Sequence, residues 1–209
     1  MRIVVFGAAG RVGRHAVRLA AERGHSVTAV ARRPEGRAGV DERTGDVRDA
    51  ALVAAAVEAA DAVLWCVGVT RTSGGDVGRG TLPGLAAAMG GAGVHRFVGV
   101  SGAGADLPGD RKGAGARFVS GLTHRLARDL VEDKEGEYRV LAASGLEWTQ
   151  VRPPRLGDRP GTGRYRLTSE TPGLRAAPVA RADVALALVE LAEGRDWLSA
   201  APFVVAGDR

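Results

Sequence analysis

Apolar positions along the chain fall into short continuous runs separated by stretches of wider spacing. The runs are residues 2–6 (RIVVF), 25–31 (HSVTAVA), 62–67 (AVLWCV), 96–100 (RFVGV) and 147–152 (EWTQVR). Runs of this length, rich in valine, predict buried strands. A weaker run over 40–47 predicts a third strand or a turn, and 203–205 a last strand. Between them the period changes. Val12, Ala16, Leu19 and Ala20 recur at helical spacing, and Gly24 stands where a helix commonly ends. Leu52, Val53, Ala56 and Val57 share one face of a helix over 49–60. Leu82, Leu85 and Met89 mark a helix within 76–91, and 118–144 and 182–193 also read as mainly helical. Strands that are apolar throughout must be covered on both faces. The alternation therefore predicts an α/β fold, a doubly wound parallel sheet between helices. No repeat and no linker divides 1–209, so one domain is expected. Its part from about 153 onward would add a small substrate-cleft extension.

Composition narrows the picture. Glycine supplies 31 of 209 residues, well above the ~7% of average usage. No Gly-X-Y period accompanies it. These glycines are expected at turns, or where backbone must approach a ligand. Lys and Arg number 29 against 24 Asp and Glu, a net charge of +5. The basic residues are scattered and lack interleaved aromatics, so nucleic-acid binding is not expected. All but two of them, Lys112 and Lys134, are arginine, mostly the mark of a GC-rich coding bias. A lone cysteine, Cys66, excludes an internal disulfide and a cysteine-built metal site, and no metal is expected. No apolar run reaches the ~18 residues of a membrane span, and the chain opens directly on a strand. A cytoplasmic location is expected, without a signal peptide or membrane association. Oligomeric state stays open.

Gly7, Gly10 and Gly13 lie between the first strand and the first helix. The spacing alone is weak in a glycine-rich chain, where it could mark a plain strand–helix turn. Its position is what points to a dinucleotide: small residues admit a pyrophosphate, and the helix N-terminus offers N–H groups and positive charge. Ala9, Arg11 and Val12 belong to the same loop. At the end of the second strand an acid would bind a ribose hydroxyl. Here Ala31 is followed by Arg32 and Arg33, with no acid before Glu35. Two guanidiniums suit a 2′-phosphate, which predicts NADPH (NADP+) as cofactor; the alternative is two surface arginines. Asp46 either accepts from an adenine amino group, with Val47 packed on the ring, or caps the helix that begins near Asp49. Gly68 would let backbone pass close to a ribose.

The glycine loop, Gly45-Asp46, Val100-Ser101 and above all 144–154 (SGLEWTQVRPP) resemble the atypical short-chain dehydrogenase/reductases. Within them the chain is similar to the NAD(P)H-binding group of the flavin reductase and biliverdin-IXβ reductase type. Residues 152–158 (RPPRLGD) and 162–165 (TGRY) follow that pattern as well. The resemblance covers most of the chain and is thin across 70–93 and 102–130. It implies a Rossmann-type fold, with Ser101 beside the nicotinamide as a catalytic residue and Pro153 near the cofactor. The Tyr-x-x-x-Lys pair of typical members is missing. Ala142 follows Tyr138 by four residues and Ser169 follows Tyr165. Lys134 falls where the biliverdin-reductase type has a histidine near its substrate, and Arg155 where that type has a second. These departures weaken the case for a tetrapyrrole.

Lys134 is read as a second catalytic candidate, because a lysine kept in an arginine-writing chain suggests a need for a compact ammonium. The alternative is an exposed partner of Asp133, Glu135 or Glu137. Tyr138, one turn later, is a substrate candidate, or packing. Arg155, with Arg159, Arg164 and Arg166, would form a rim attracting an anionic aromatic substrate. The leading expectation is an NADPH-dependent reductase that passes hydride to a planar, flavin- or quinone-like acceptor. A nucleotide-sensing regulator without turnover and a non-redox isomerase or cyclase are the alternatives. Residues 102–115 read as a loop at a strand's carboxyl end, without an assigned role.

Overall fold

The computed structural model describes residues 1–33, 35–70, 72–110, 127–173 and 176–207. Six strands form one sheet: β1 (Arg2–Phe6), β2 (Ser26–Ala31), β3 (Asp41–Thr44), β4 (Ala62–Trp65), β5 (Arg96–Val100) and β6 (Glu147–Val151). Their order is β3-β2-β1-β4-β5-β6. Every pair is parallel, with Ile3 opposite Val27 on one side and opposite Ala62 on the other. The doubly wound α/β expectation is met.

Two apolar layers sandwich the sheet. Ile3, Val5, Ala29, Leu64, Val98 and Val151 face helices α1 (Gly13–Glu22) and α5 (Arg181–Glu193). Val4, Phe6, Val30, Val63, Trp65 and Phe97 face α2 (Ala50–Val57), α3 (Val77–Gly91) and α4 (Arg128–Ala143). Neighbouring residues of one strand thus serve opposite cores, as the pleat requires. Asp49 caps α2, its carboxylate accepting from the N–H groups of Ala51 and Leu52. Asp49, not Asp46, is therefore the residue that caps this helix.

The strand expected at 203–205 exists but lies outside the main sheet. β10 (Phe203–Ala206) pairs antiparallel with β8 (Tyr165–Thr168). A second small pair joins β7 (Leu156–Gly157) to β9 (Val179–Ala180). Neither β7, β8 nor β9 was foreseen. Of the helix expected over 118–144, residues 118–126 lie outside the described residues, as do 111–115 of the glycine-rich loop. The rest of that loop is fastened by Arg152. Its buried guanidinium donates to both carboxylate oxygens of Asp110 (2.7 and 2.6 Å) and to the Ala105 carbonyl (2.7 Å), and it lies over the Phe203 ring.

Because the chain leaves β1 toward β2 and later returns to β4 on the other side, the strand order reverses beside β1. In open α/β sheets a crevice forms at that reversal, outside the strands' carboxyl ends.

Candidate nucleotide-binding cleft

A cleft of about 610 Å³ opens there, lined by residues that follow β1, β2, β3 and β4. Its size falls within the ~300–1,000 Å³ of small-molecule sites. The glycine loop forms one wall. Gly7 adopts φ +76°, and a Cβ on it would stand 2.7 Å from the Cys66 carbonyl oxygen. At Gly13 a Cβ would stand 2.2 Å from the Gly7 carbonyl oxygen. Only glycine lets α1 begin this close to β1. Among the described residues no hydrogen-bond partner is found for the N–H groups of Ala9, Arg11, Val12 and Gly13. The loop thus presents a cradle of donors at a helix N-terminus, the geometry a pyrophosphate fits.

Arg32, Arg33, Asp46, Val47 and Gly68 line the same cleft, with Gly7, Ala9 and Gly10. Arg32 reaches across to Thr72, donating to its hydroxyl (2.9 Å) and its carbonyl (3.3 Å). Asp46 accepts from the backbone N–H of Arg48 at 2.9 Å. Arg11 points elsewhere, its guanidinium 3.9 Å from Asp158 in a well exposed pair, an arrangement worth little. Val12 is buried and precedes α1.

Ser101 and Pro153 stand at the carboxyl ends of β5 and β6, beyond the residues that line the cleft. The Ser101 hydroxyl is buried and has no hydrogen-bond partner among the described residues. Its backbone N–H donates to Val151, and the Pro153 carbonyl accepts from Ala103. Lys134 is buried rather than exposed. Its ammonium donates to Glu137 at 2.7 Å and to the Val67 carbonyl, at the cleft floor, at 3.0 Å. Burial pushes the Glu137 carboxyl up from its usual range, with Lys134 pulling the other way. The Cys66 thiol is driven up to about 12 by burial.

Tyr138 does not join Lys134. It packs edge-on against Trp148, centroids 5.5 Å apart, and lines a separate hollow with Arg152 and Trp197. Arg155 is exposed on β7's side and donates to the Ala176 carbonyl at 2.9 Å. The structure does not bring it to the cleft.

Sequence reasoning missed Arg48, Thr72 and Ser73, which complete the cleft's far wall. It missed Arg37 as well. Its guanidinium braces the glycine loop at the Ala8 carbonyl (3.1 Å) and is held by Glu42. Three backbone N–H groups converge on Glu42 and pull its carboxyl below the usual range. No pattern along 35–42 (EGRAGVDE) marks that role in advance.

A parallel sheet with reversal beside β1, a glycine cradle and a cationic rim after β2 define a dinucleotide-binding α/β protein. Residues 7–194 match the family model described as NAD(P)H-binding, and the chain belongs to that family. It is 27% identical over 230 residues to YhfK of Bacillus subtilis (strain 168), named an uncharacterized sugar epimerase, across all of this chain and 95% of that one. Among solved structures it is similar to ChuY, an anaerobilin reductase of Escherichia coli O157:H7. Identity is 26% and the TM-score 0.79, over 100% of this chain and 98% of that one. A short-chain dehydrogenase/reductase of Veillonella parvula DSM 2008, solved with NADP, shares the fold at 20% identity and TM-score 0.79, over 99% of this chain and 94% of that one. Among the described residues no helix is long and apolar enough to cross a membrane.

Proposed function

We propose that the chain is an NADPH-dependent reductase that transfers hydride to a planar conjugated acceptor of flavin or quinone type. One observation carries the cofactor choice. Arg32 and Arg33 both line the cleft after β2, where a ribose-binding acid is absent. Bound NADPH supplies the hydride from its nicotinamide ring. The chain's part is to hold both reactants. The free N–H groups of the glycine loop bind the pyrophosphate, and the two guanidiniums bind the 2′-phosphate. Ser101, buried with its hydroxyl unpartnered among the described residues, donates to a carbonyl of the acceptor and fixes its orientation. The similarity to a reductase, ChuY, supports this reading, and the neighbour solved with NADP supports the nucleotide.

The test is NADPH oxidation in the presence of flavin mononucleotide or menadione. Turnover is expected with at least one of them; none with any flavin or quinone overturns the reading. The name of YhfK favours a second reading, epimerisation. Such a reaction returns the nucleotide unchanged, so steady consumption of NADPH separates the two.

A further inference from the structure

Beneath the cleft lies a cluster of buried polar groups that hydride transfer as proposed does not use. Glu137 is fully buried. Three donors converge on its carboxylate. Trp65 Nε1 (3.1 Å) and Lys134 Nζ (2.7 Å) donate to Oε1, and Gln150 Nε2 (3.1 Å) donates to Oε2. Gly78 closes another side, where a Cβ would stand 1.9 Å from Oε1. Asp133, also fully buried, turns away and accepts from the N–H groups of Gly78 and Arg79 at the start of α3. Burying a charge pair is costly, and well-packed apolar residues often do as well for stability. Packing alone therefore does not account for the cluster.

Lys134 connects it to the cleft. The same ammonium donates to the Val67 carbonyl, and Val67 and Gly68 line the cleft. Val67 and Gly68 directly follow β4, which lies on the other side of β1 from β2 and its Arg32 and Arg33. A dinucleotide laid across the reversal puts its adenosine ribose at the β2 end, which leaves the β4 end for its nicotinamide half. We propose that Glu137 is a positioning residue: it holds the Lys134 ammonium under Val67 and Gly68 and so shapes the half of the cleft that receives the nicotinamide ribose. The inference rests on the NAD(P)-binding reading of the same cleft. The adenosine half is built by the glycine loop and β2 and owes nothing to Glu137.

Two ligands separate the halves: NADP+, and 2′,5′-ADP, which lacks the nicotinamide half. Glu137→Gln keeps the side chain's size. Donors meet both carboxylate oxygens, however, so the amide sets an N–H against a donor whichever way it turns. Calorimetric titration of Glu137→Gln is expected to show NADP+ bound about tenfold more weakly. Affinity for 2′,5′-ADP should stay within about twofold of the wild type. Should that variant not fold, Lys134→Met/Glu137→Gln removes both charges together and is expected to show the same selective loss. If both ligands weaken alike, the cluster merely holds the fold and the proposal is overturned; it is equally overturned if neither weakens. A wild-type chain that binds neither ligand overturns the nucleotide reading and this inference with it.

Discussion

Arg32→Ala removes one of the two guanidiniums that stand where the adenosine ribose of a dinucleotide would lie. In the structure Arg32 is exposed, and among the described residues it bonds to the neutral hydroxyl and carbonyl of Thr72. Water replaces those bonds after truncation, so the fold should lose little. A 2′-phosphate is a far stronger acceptor. A hydrogen bond to a charged group contributes about 1.5–3 kcal/mol, which corresponds to about 10- to 150-fold in affinity. Exposure puts Arg32 at the low end of that range, and Arg33 remains on the same wall. Arg32→Ala is thus expected to weaken NADPH by roughly 10- to 30-fold and NADH by less than about twofold. Quenching of the tryptophan emission during titration with each nucleotide measures both constants. The gap should narrow as salt rises, because an exposed charge pair is screened. Arg32→Ala/Arg33→Ala should bring the two affinities together. Equal losses for NADPH and NADH would show that Arg32 is an ordinary surface charge and would refute the cofactor assignment.

Three further outcomes follow from the geometry. Gly13→Ala places a Cβ 2.2 Å from the Gly7 carbonyl oxygen, so α1 must withdraw from β1. Overpacking of this kind costs ~1–3 kcal/mol, a fall in Tm of roughly 3–10 °C for a chain of this size, measured by thermal denaturation, with weaker nucleotide binding beside it. Ser101→Ala deletes a buried hydroxyl without a hydrogen-bond partner among the described residues; Tm should hold within ~2 °C while kcat falls about tenfold or more, and an unchanged kcat would remove Ser101 from the chemistry. Cys66, held near 12 instead of the ordinary 9.0, should react with a disulfide reagent at pH 8 roughly a hundredfold more slowly in the native chain than after unfolding. The folded state keeps this proton longer than the unfolded chain does. Its contribution to stability is therefore complete below pH 9 and is lost as the pH rises toward about 12. Denaturant midpoints measured across that window should fall for the wild type more than for Cys66→Ala.

The main sheet could be read from the chain because its strands are buried on both faces. Continuous runs such as 62–67, between Asp61 and Gly68, are too short for a helix and read as buried strands. The second half resisted for the opposite reason. β7 and β9 are two residues long each, too short for any period to register. β8 carries Arg166 between Tyr165 and Leu167 and is half exposed. What organises this region is long-range: Asp183 on α5 accepts from the N–H groups of Thr162 and Gly163, and Arg152 reaches back to Asp110. Such pairings leave no local pattern. The same limit applied to Arg155, whose expected place came from a motif while its side chain turned to Ala176.

Lys134 shows how far composition can lead and where it stops. In a chain with 29 basic residues the choice of lysine there was a signal, but its meaning required the third dimension. One ammonium nitrogen fits between Glu137 and the Val67 carbonyl, with these two acceptors 2.7 and 3.0 Å from it. A guanidinium spreads its donors over a plane and would have to displace a neighbour. Gly78 already leaves no room beside Glu137, since even a methyl carbon would overlap its carboxylate. Gly136 likewise abuts Arg79, where a Cβ would stand 2.6 Å from the Arg79 Cβ, so α3 and α4 approach closely here. The lysine thus sits where two closely packed helices meet beneath the cleft. That ties two oddities of composition, surplus glycine and a retained lysine, to one packing arrangement under the nucleotide site.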